Sequence, residues 1–208
     1  LGIGGLHSSE EKVAHIATGD TILMDVDVTS YYPSIILQCG LFPKHLTKAF
    51  LKVYQNIFTT RVEAKRNGNS TVDKVLKIVL NGSFGKFGSR WSAIYSPDLM
   101  IQVTVTGQLA LLMLIEALEL DGISVVSANT DGIVVKTAKA RLEDVRGHIK
   151  RWETATGFGM EETQYRGLYS RDVNAYMAVK LGGGIKGKGP YASPSIARIA
   201  ATGSAPQV

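Results

Sequence analysis

Apolar and polar positions alternate in two distinct periods along the chain, and the switch between them outlines its elements. An apolar run, Thr21-Ile22-Leu23-Met24, leads into Asp25-Val26-Asp27-Val28, which predicts a strand over 21–28. From Pro43 to Arg66, Leu46, Phe50, Val53, Ile57 and Phe58 recur at helical spacing, and "RNGNS" ends that stretch. Ser70 or Thr71 is expected to cap a second helix running to about Lys86, so that two antiparallel helices share a tight turn. Ser96-Pro97 opens a long apolar helix that stops at Gly122, with proline at its first helical position.

"ISVVSANTDGIVVKT" predicts a β-hairpin around Asn129-Thr130-Asp131-Gly132, with Asp131-Gly132 as its turn. An amphipathic helix is expected over 139–156, and "DVNAYMAVKL" forms a strand that Gly182-Gly183-Gly184 turns towards "IKGKG". Residues 1–20 are Gly-rich and polar and predict a loop with little regular structure. Ser30-Tyr31-Tyr32-Pro33-Ser34 predicts a crowded turn. The sum is a mixed α/β (α+β) fold with an antiparallel sheet and helices on one face.

Composition changes this picture little. The chain has 208 residues, 45% hydrophobic and 20% charged, which suits one large or two small globular domains. A net charge of +5 fits a polyanionic partner without requiring one; the basic stretches also suit solvated helix faces. Cys39 stands alone, which excludes an internal disulfide framework and a thiolate metal site and fits a reducing compartment such as the cytoplasm. The longest apolar stretch, Leu99 to Leu120, is interrupted by Gln102, Gln108, Glu116 and Glu119, and we read it as a core helix with no membrane partner.

Two constellations carry chemistry. Asp25 and Asp27 point to the same face of their strand, where like charges need a positive neighbour. If the hairpin lies beside that strand, Asp131 converges with Asp27. Hard oxygen ligands without His or Cys then suggest magnesium, held by one or two carboxylates plus substrate phosphates. Taken alone, Asp131 is also ordinary turn chemistry. The second constellation is basic: Arg61 and Lys65 lie four apart on one helix, and Lys77, Asn81 and Phe84-Gly85 follow at three- and four-residue spacing on the next. Cations on a helix face suit a triphosphate or simply face water.

These segments resemble a known family. "DVTSYYPS" (Asp27 to Ser34) is similar to the Asp-x-x-Ser-Leu-Tyr-Pro-Ser motif of family B DNA polymerases. "KIVLNGSFG" (Lys77 to Gly85) resembles their Lys-x-x-x-Asn-Ser-x-Tyr-Gly motif, and "NTDG" (Asn129 to Gly132) their Asp-Thr-Asp-Ser motif, in the family's order. "VNAYMAVK" and "IKGKG" resemble the later template-primer segments, and the style is that of viral or phage members acting in a host cytoplasm.

The resemblance implies a polymerase palm over 1–43 and 87–190, and a short fingers hairpin over 44–86. Residues 191–208 would be a tail or the start of a missing thumb. It implies two magnesium ions on Asp27, Asp131 and the Val28 carbonyl. A dNTP would be held by Ser30, Tyr31, Tyr32, Arg61, Lys65, Lys77, Asn81 and Phe84, with Lys77 also counted as catalytic. Primer-template DNA would meet Tyr176, Lys186 and Lys188. Asp25 and Asn129 would act around the metals, Asp25 being set back by roughly 6–7 Å along its strand.

Asn129, Gly82 and Phe84 depart from the family's acid, Ser and Tyr. No exonuclease sequence precedes the palm motifs, and the expectation is a piece of a longer polymerase. Two rivals stand beside this reading: a non-catalytic nucleic-acid-binding remnant, for which Asn129 argues, and an NTPase based on "GGGIKGKG". The latter lacks the Gly-x-x-x-x-Gly-Lys-Ser/Thr spacing.

Overall fold

The computed structural model describes residues 4–192. The chain divides into two compact units: a helical one, Leu1–Gly5 with Thr29–Leu109, and a sheet unit, Leu6–Val28 with Ala110–Val208.

The sheet unit holds β1 (Leu6–His7), β2 (Glu11–Ile16), β3 (Thr21–Val28), β4 (Ser124–Thr130), β5 (Gly132–Ala138), β6 (Met160–Asp172), β7 (Ala175–Lys180) and β8 (Ile185–Gly187). Every pairing is antiparallel, in the order β1-β4-β5-β3-β6-β7-β8, and β2 adds to β6. β3 is therefore a central strand. Its even face, Ile22, Met24, Val26 and Val28, is buried with Ile133 and Val135. Its odd face carries Leu23, which packs with Val134, Tyr165, Leu168 and Ala178. Asp25 and Asp27 continue that odd face, opposite Val134 and Gly132 of β5.

Two sequence expectations change here, and one strand appears that the pattern did not predict. Residues 1–20 contain β1 and β2, whose pairing comes from strands more than a hundred residues away. β2 is half exposed, so its own pattern of apolar residues is weak. The 13-residue β6 is hidden by its polar composition and by a register shift between Tyr165 and Gly167, which breaks any simple alternation. The hairpin turn is Thr130-Asp131, because Asn129 pairs with Gly132; Thr130 takes a positive φ of 59°. Helix α5 (Leu142–Thr156) meets the expectation for 139–156, and its Trp152 Nε1 donates to the Ala110 carbonyl at 2.7 Å.

In the helical unit, the crowded turn is the start of a helix, α1 (Tyr31–Gln38). Helix α2 (Ala49–Arg66) begins six residues later than Pro43, and α3 (Ser70–Phe87) is capped by Asn69, whose side chain accepts from Val72 N at 3.2 Å. The two run antiparallel: Tyr54 O–H donates to the Leu80 carbonyl at 3.3 Å and Arg61 Nε to Asp73 at 3.0 Å. Helix α4 (Pro97–Leu120) is long and apolar enough to cross a membrane by length and composition, and 44% of its most apolar stretch is buried in the protein.

Candidate active site

The odd face of β3 ends in a cleft of about 310 Å³ within the sheet unit. Asp25, Asp27, Asn129, Asp131, Tyr176 and Lys186 are among its walls. Asp25 is 6% exposed, and a buried carboxylate needs partners. Tyr165 O–H donates to its Oδ2, and Lys186 Nζ reaches the same oxygen at 2.8 Å. Lys186 Nζ also lies 3.0 Å from Asp27 Oδ2. The cation between the two strand carboxylates is thus Lys186, from β8, which was expected on DNA. Burial and then Asp27 hold the Asp25 carboxyl above the ordinary carboxylate range, against the pull of Lys186. Burial acts to lower the Lys186 ammonium, but Asp25 and Asp27 outweigh it and push the group well above its ordinary value.

Glycines let these groups approach. A Cβ at Gly132, directly across from Asp27, would collide with the Asp27 carboxylate. At Gly187 it would run into the Tyr191 carbonyl. Gly132, expected in the hairpin turn, and Gly187 are both close-approach positions beside the carboxylates and their lysine.

The hairpin supplies the opposing wall. Asp131 follows the positive-φ Thr130, a conformation that non-glycine residues hold only where surrounding contacts enforce it. Its backbone is tied to the sheet, since Val28 N donates to the Asp131 carbonyl at 2.7 Å. Asp131 is exposed as a residue, yet partial desolvation of its carboxyl first and Asp27 second raise it, which places the two acids within each other's field. Asn129 is engaged at both ends of its amide: Nδ2 donates to the Val173 carbonyl at 2.6 Å, and Oδ1 accepts from Lys188 at 2.9 Å. A carboxylate could not make the first of these bonds. Burial also raises the Tyr176 phenol, with Lys186 opposing.

Sequence reasoning missed Tyr165, which carries no signal in its polar strand. It also missed Glu10. Glu10 accepts from Ser8 at 2.7 Å, Ser127 at 2.8 Å and Ser170 at 3.4 Å, pinning the N-terminal segment to the sheet. His7 pairs with Asn129 across β1 and β4, and its Nε2 lies 3.2 Å from Thr130 Oγ1.

The helical unit holds the basic and aromatic group. Ser30 has a positive φ of 52° just ahead of α1, and Arg61 Nη1 donates to its hydroxyl. With its second bond to Asp73, Arg61 is 9% exposed and joins α2 to α3 and to Ser30. It therefore does not share the solvent-facing surface of Lys65, as the four-residue spacing suggested. Tyr31 is buried, with its hydroxyl donating to the Gly107 carbonyl at 2.6 Å. A Cβ at Gly107 would stand 3.3 Å from that ring, so glycine lets the tyrosine reach the helix backbone. Tyr32 is half-buried and packs its ring on Phe84, 4.2 Å between centroids. Lys77 and Asn81 lie exposed on α3.

Among the described residues no group of three or more His, Cys, Asp or Glu could hold a metal by itself. Asp27 and Asp131 still suit a magnesium ion. They are hard oxygen donors facing one cleft with room for water, and such an ion completes its shell with water and phosphate oxygens. Asn129 provides no carboxylate for a second ion, and its amide is already bonded.

Comparison with known proteins agrees with this architecture. The fold is similar to that of the family B DNA polymerase from the hyperthermophilic archaeon Pyrobaculum calidifontis, with a TM-score of 0.63 and 18% identity. That match covers 89% of this chain and 29% of the other, and it defines the fold as a palm-like polymerase α+β fold. In sequence, the chain is 29% identical over 156 residues to DNA polymerase II of Escherichia coli (strain K12), covering 64% of this chain and 20% of that protein. The chain thus resembles DNA polymerases in fold and sequence and spans less than a third of either protein. Both are cellular, so the viral or phage style finds no support in them. No family model matches the chain.

Proposed function

We propose that this chain carries the nucleotidyl-transfer site of a template-directed DNA polymerase, joining a dNTP to a primer 3′-hydroxyl. The observation that supports it most is the pairing of Asp27 with Gly132, which sets Asp27 and the adjoining Asp131 in one cleft. Asp27 and Asp131 would hold magnesium, with the Val28 carbonyl alongside as the family resemblance implies. Bound there, magnesium would lower the barrier to attack by the primer hydroxyl and neutralise charge on the departing pyrophosphate. Two ions are the expectation from the family, and the amide at Asn129 fits the second less well.

In this reading residues 44–86 act as fingers and the sheet as the palm. Lys65 and Lys77 supply positive charge to the triphosphate, and the backbone about Ser30 and Tyr31 cradles it. Arg61 positions Ser30. Tyr32, braced by Phe84, presents its ring to the sugar and excludes a 2′-hydroxyl, with Asn81 beside the base. Tyr176 and Lys188 meet the primer-template.

The test is magnesium-dependent primer extension by the purified chain. Extension lost in Asp27→Asn and Asp131→Asn supports the proposal; extension indifferent to both would sink it. The second reading, a non-catalytic nucleic-acid-binding relative, draws on Asn129 and on the lysine already seated between the acids. It predicts salt-sensitive DNA binding with no extension under any metal.

A further inference from the structure

We propose that Lys186 is a placeholder cation, which competes with the divalent metal for Asp27 and retires onto Asp25 when the metal binds. This rests on the reading of Asp27 as a metal ligand. Lys186 Nζ divides itself between two carboxylates, 2.8 Å from Asp25 and 3.0 Å from Asp27. The two acids differ in access. The Asp25 side chain is 7% exposed and closed off by Tyr165, whereas that of Asp27 is 44% exposed and open to the cleft. A hydrated ion can therefore reach Asp27 and not Asp25. Once the ion takes the Asp27 oxygen, the ammonium keeps its shorter bond to Asp25, and no buried charge is stranded.

This assigns Asp25 a purpose. It is neither a metal ligand nor a leftover charge but the site where the displaced lysine is held. The backbone prepares for it: β8 is brought against the sheet by its pairing with β7, Met177 opposite Gly187 and Ala178 opposite Lys186. A side chain at Gly187 would push β8 away from the turn carrying Tyr191. Lysine suits the task because its compact charge can leave one acid while staying on the other.

The experiment measures Mn²⁺ binding to the full chain by electron paramagnetic resonance of the free ion, with no reaction required. Asp27→Asn should abolish tight Mn²⁺ binding. If it does not, the ligand assignment fails and the placeholder falls with it. With that established, Lys186→Met should bind Mn²⁺ about tenfold tighter, because a unit positive charge has left the metal's neighbourhood. Asp25→Asn should do the opposite and weaken Mn²⁺ several-fold, since Lys186 then has Asp27 as its one remaining carboxylate.

The double variant Asp25→Asn/Lys186→Met guards against misfolding, because it removes a buried pair together, and it too should bind tighter than Asp25→Asn. A purely structural lysine predicts no tightening in Lys186→Met or in the double variant. Either result, with Asp27 still required, would overturn the placeholder and leave the metal site standing.

Discussion

The two units handle charge in opposite ways. In the sheet unit, acids are crowded onto one strand face and a hairpin turn, and the chain supplies its own positive charge: Lys186 pairs with Asp25 and Asp27, and Lys188, hydrogen-bonded to the Asn129 amide, acts on Asp131. No buried side-chain polar atom among the described residues lacks a hydrogen bond. In the helical unit, Arg61 alone is drawn inside, onto Asp73 and Ser30, while Lys77 stands in water with no ion pair among the described residues. A strand face fixes carboxylates by register and burial, where a shift in position changes their energy greatly. A helix face merely displays long cations, whose flexible stems tolerate small errors. Under the proposed function, this contrast would give precise chemistry to the sheet and general attraction of a polyanion to the helices.

The sharpest way to break that comparison is to neutralise one acid. Asp27→Asn or Asp131→Asn should reduce magnesium-dependent extension by roughly a thousandfold, about 4 kcal/mol of transition-state stabilisation. A reduction no larger than that from removing a helix-face lysine would place the chemistry elsewhere.

Next in size comes Arg61, the one buried cation among the described residues. Arg61→Ala should cost about 2 kcal/mol of stability, because Asp73 and Ser30 lose their partner in a partly buried setting. Urea unfolding with an unchanged midpoint would return Arg61 to the ranks of exposed, phosphate-facing residues. For exposed Lys77 the pattern reverses. Lys77→Ala should raise the dNTP requirement about tenfold, with a change in unfolding free energy of ~0.5 kcal/mol or less.

The smallest effect concerns pH and sharpens the claim that the acids are crowded. Asp131 has its carboxyl raised in the folded protein by burial and by Asp27. A raised carboxyl binds its proton more tightly when folded. Its contribution to stability is therefore complete below the ordinary carboxylate range and is lost as pH rises through the elevated value. Asp131 is exposed to water, which screens the effect, so the uncharged Asp131→Asn should melt only slightly higher than the wild type at neutral pH, and the gap should close on acidification. A variant that melts lower at neutral pH would mean that the acid is stabilised in the folded state, contrary to the crowding.

Much of this was legible in the residues. Periodicity alone separates β3 from the helices, because alternation and 3.6-residue spacing are local properties of the backbone. The Asp25/Asp27 pair needed only the two-residue repeat of a strand, and the three motifs followed from their order along the chain. Tertiary structure decided the rest. Lys186 lies 159 positions from Asp27, and nothing in "IKGKG" says which carboxylate it will meet; that depends on β8 pairing with β7 and β6 pairing with β3.

Arg61 and Lys65 look equivalent by spacing, yet one is buried because Asp73 and Ser30 come to face it. β2 and β6 escaped notice for the same reason. Their ladder bonds come from partners far along the chain, and half-exposed or bulged strands carry little apolar alternation of their own. Local sequence determined which elements form and which faces they present. Only the long-range register of the strands decided which charges meet, because a slip of one residue would turn every one of those side chains to the opposite face.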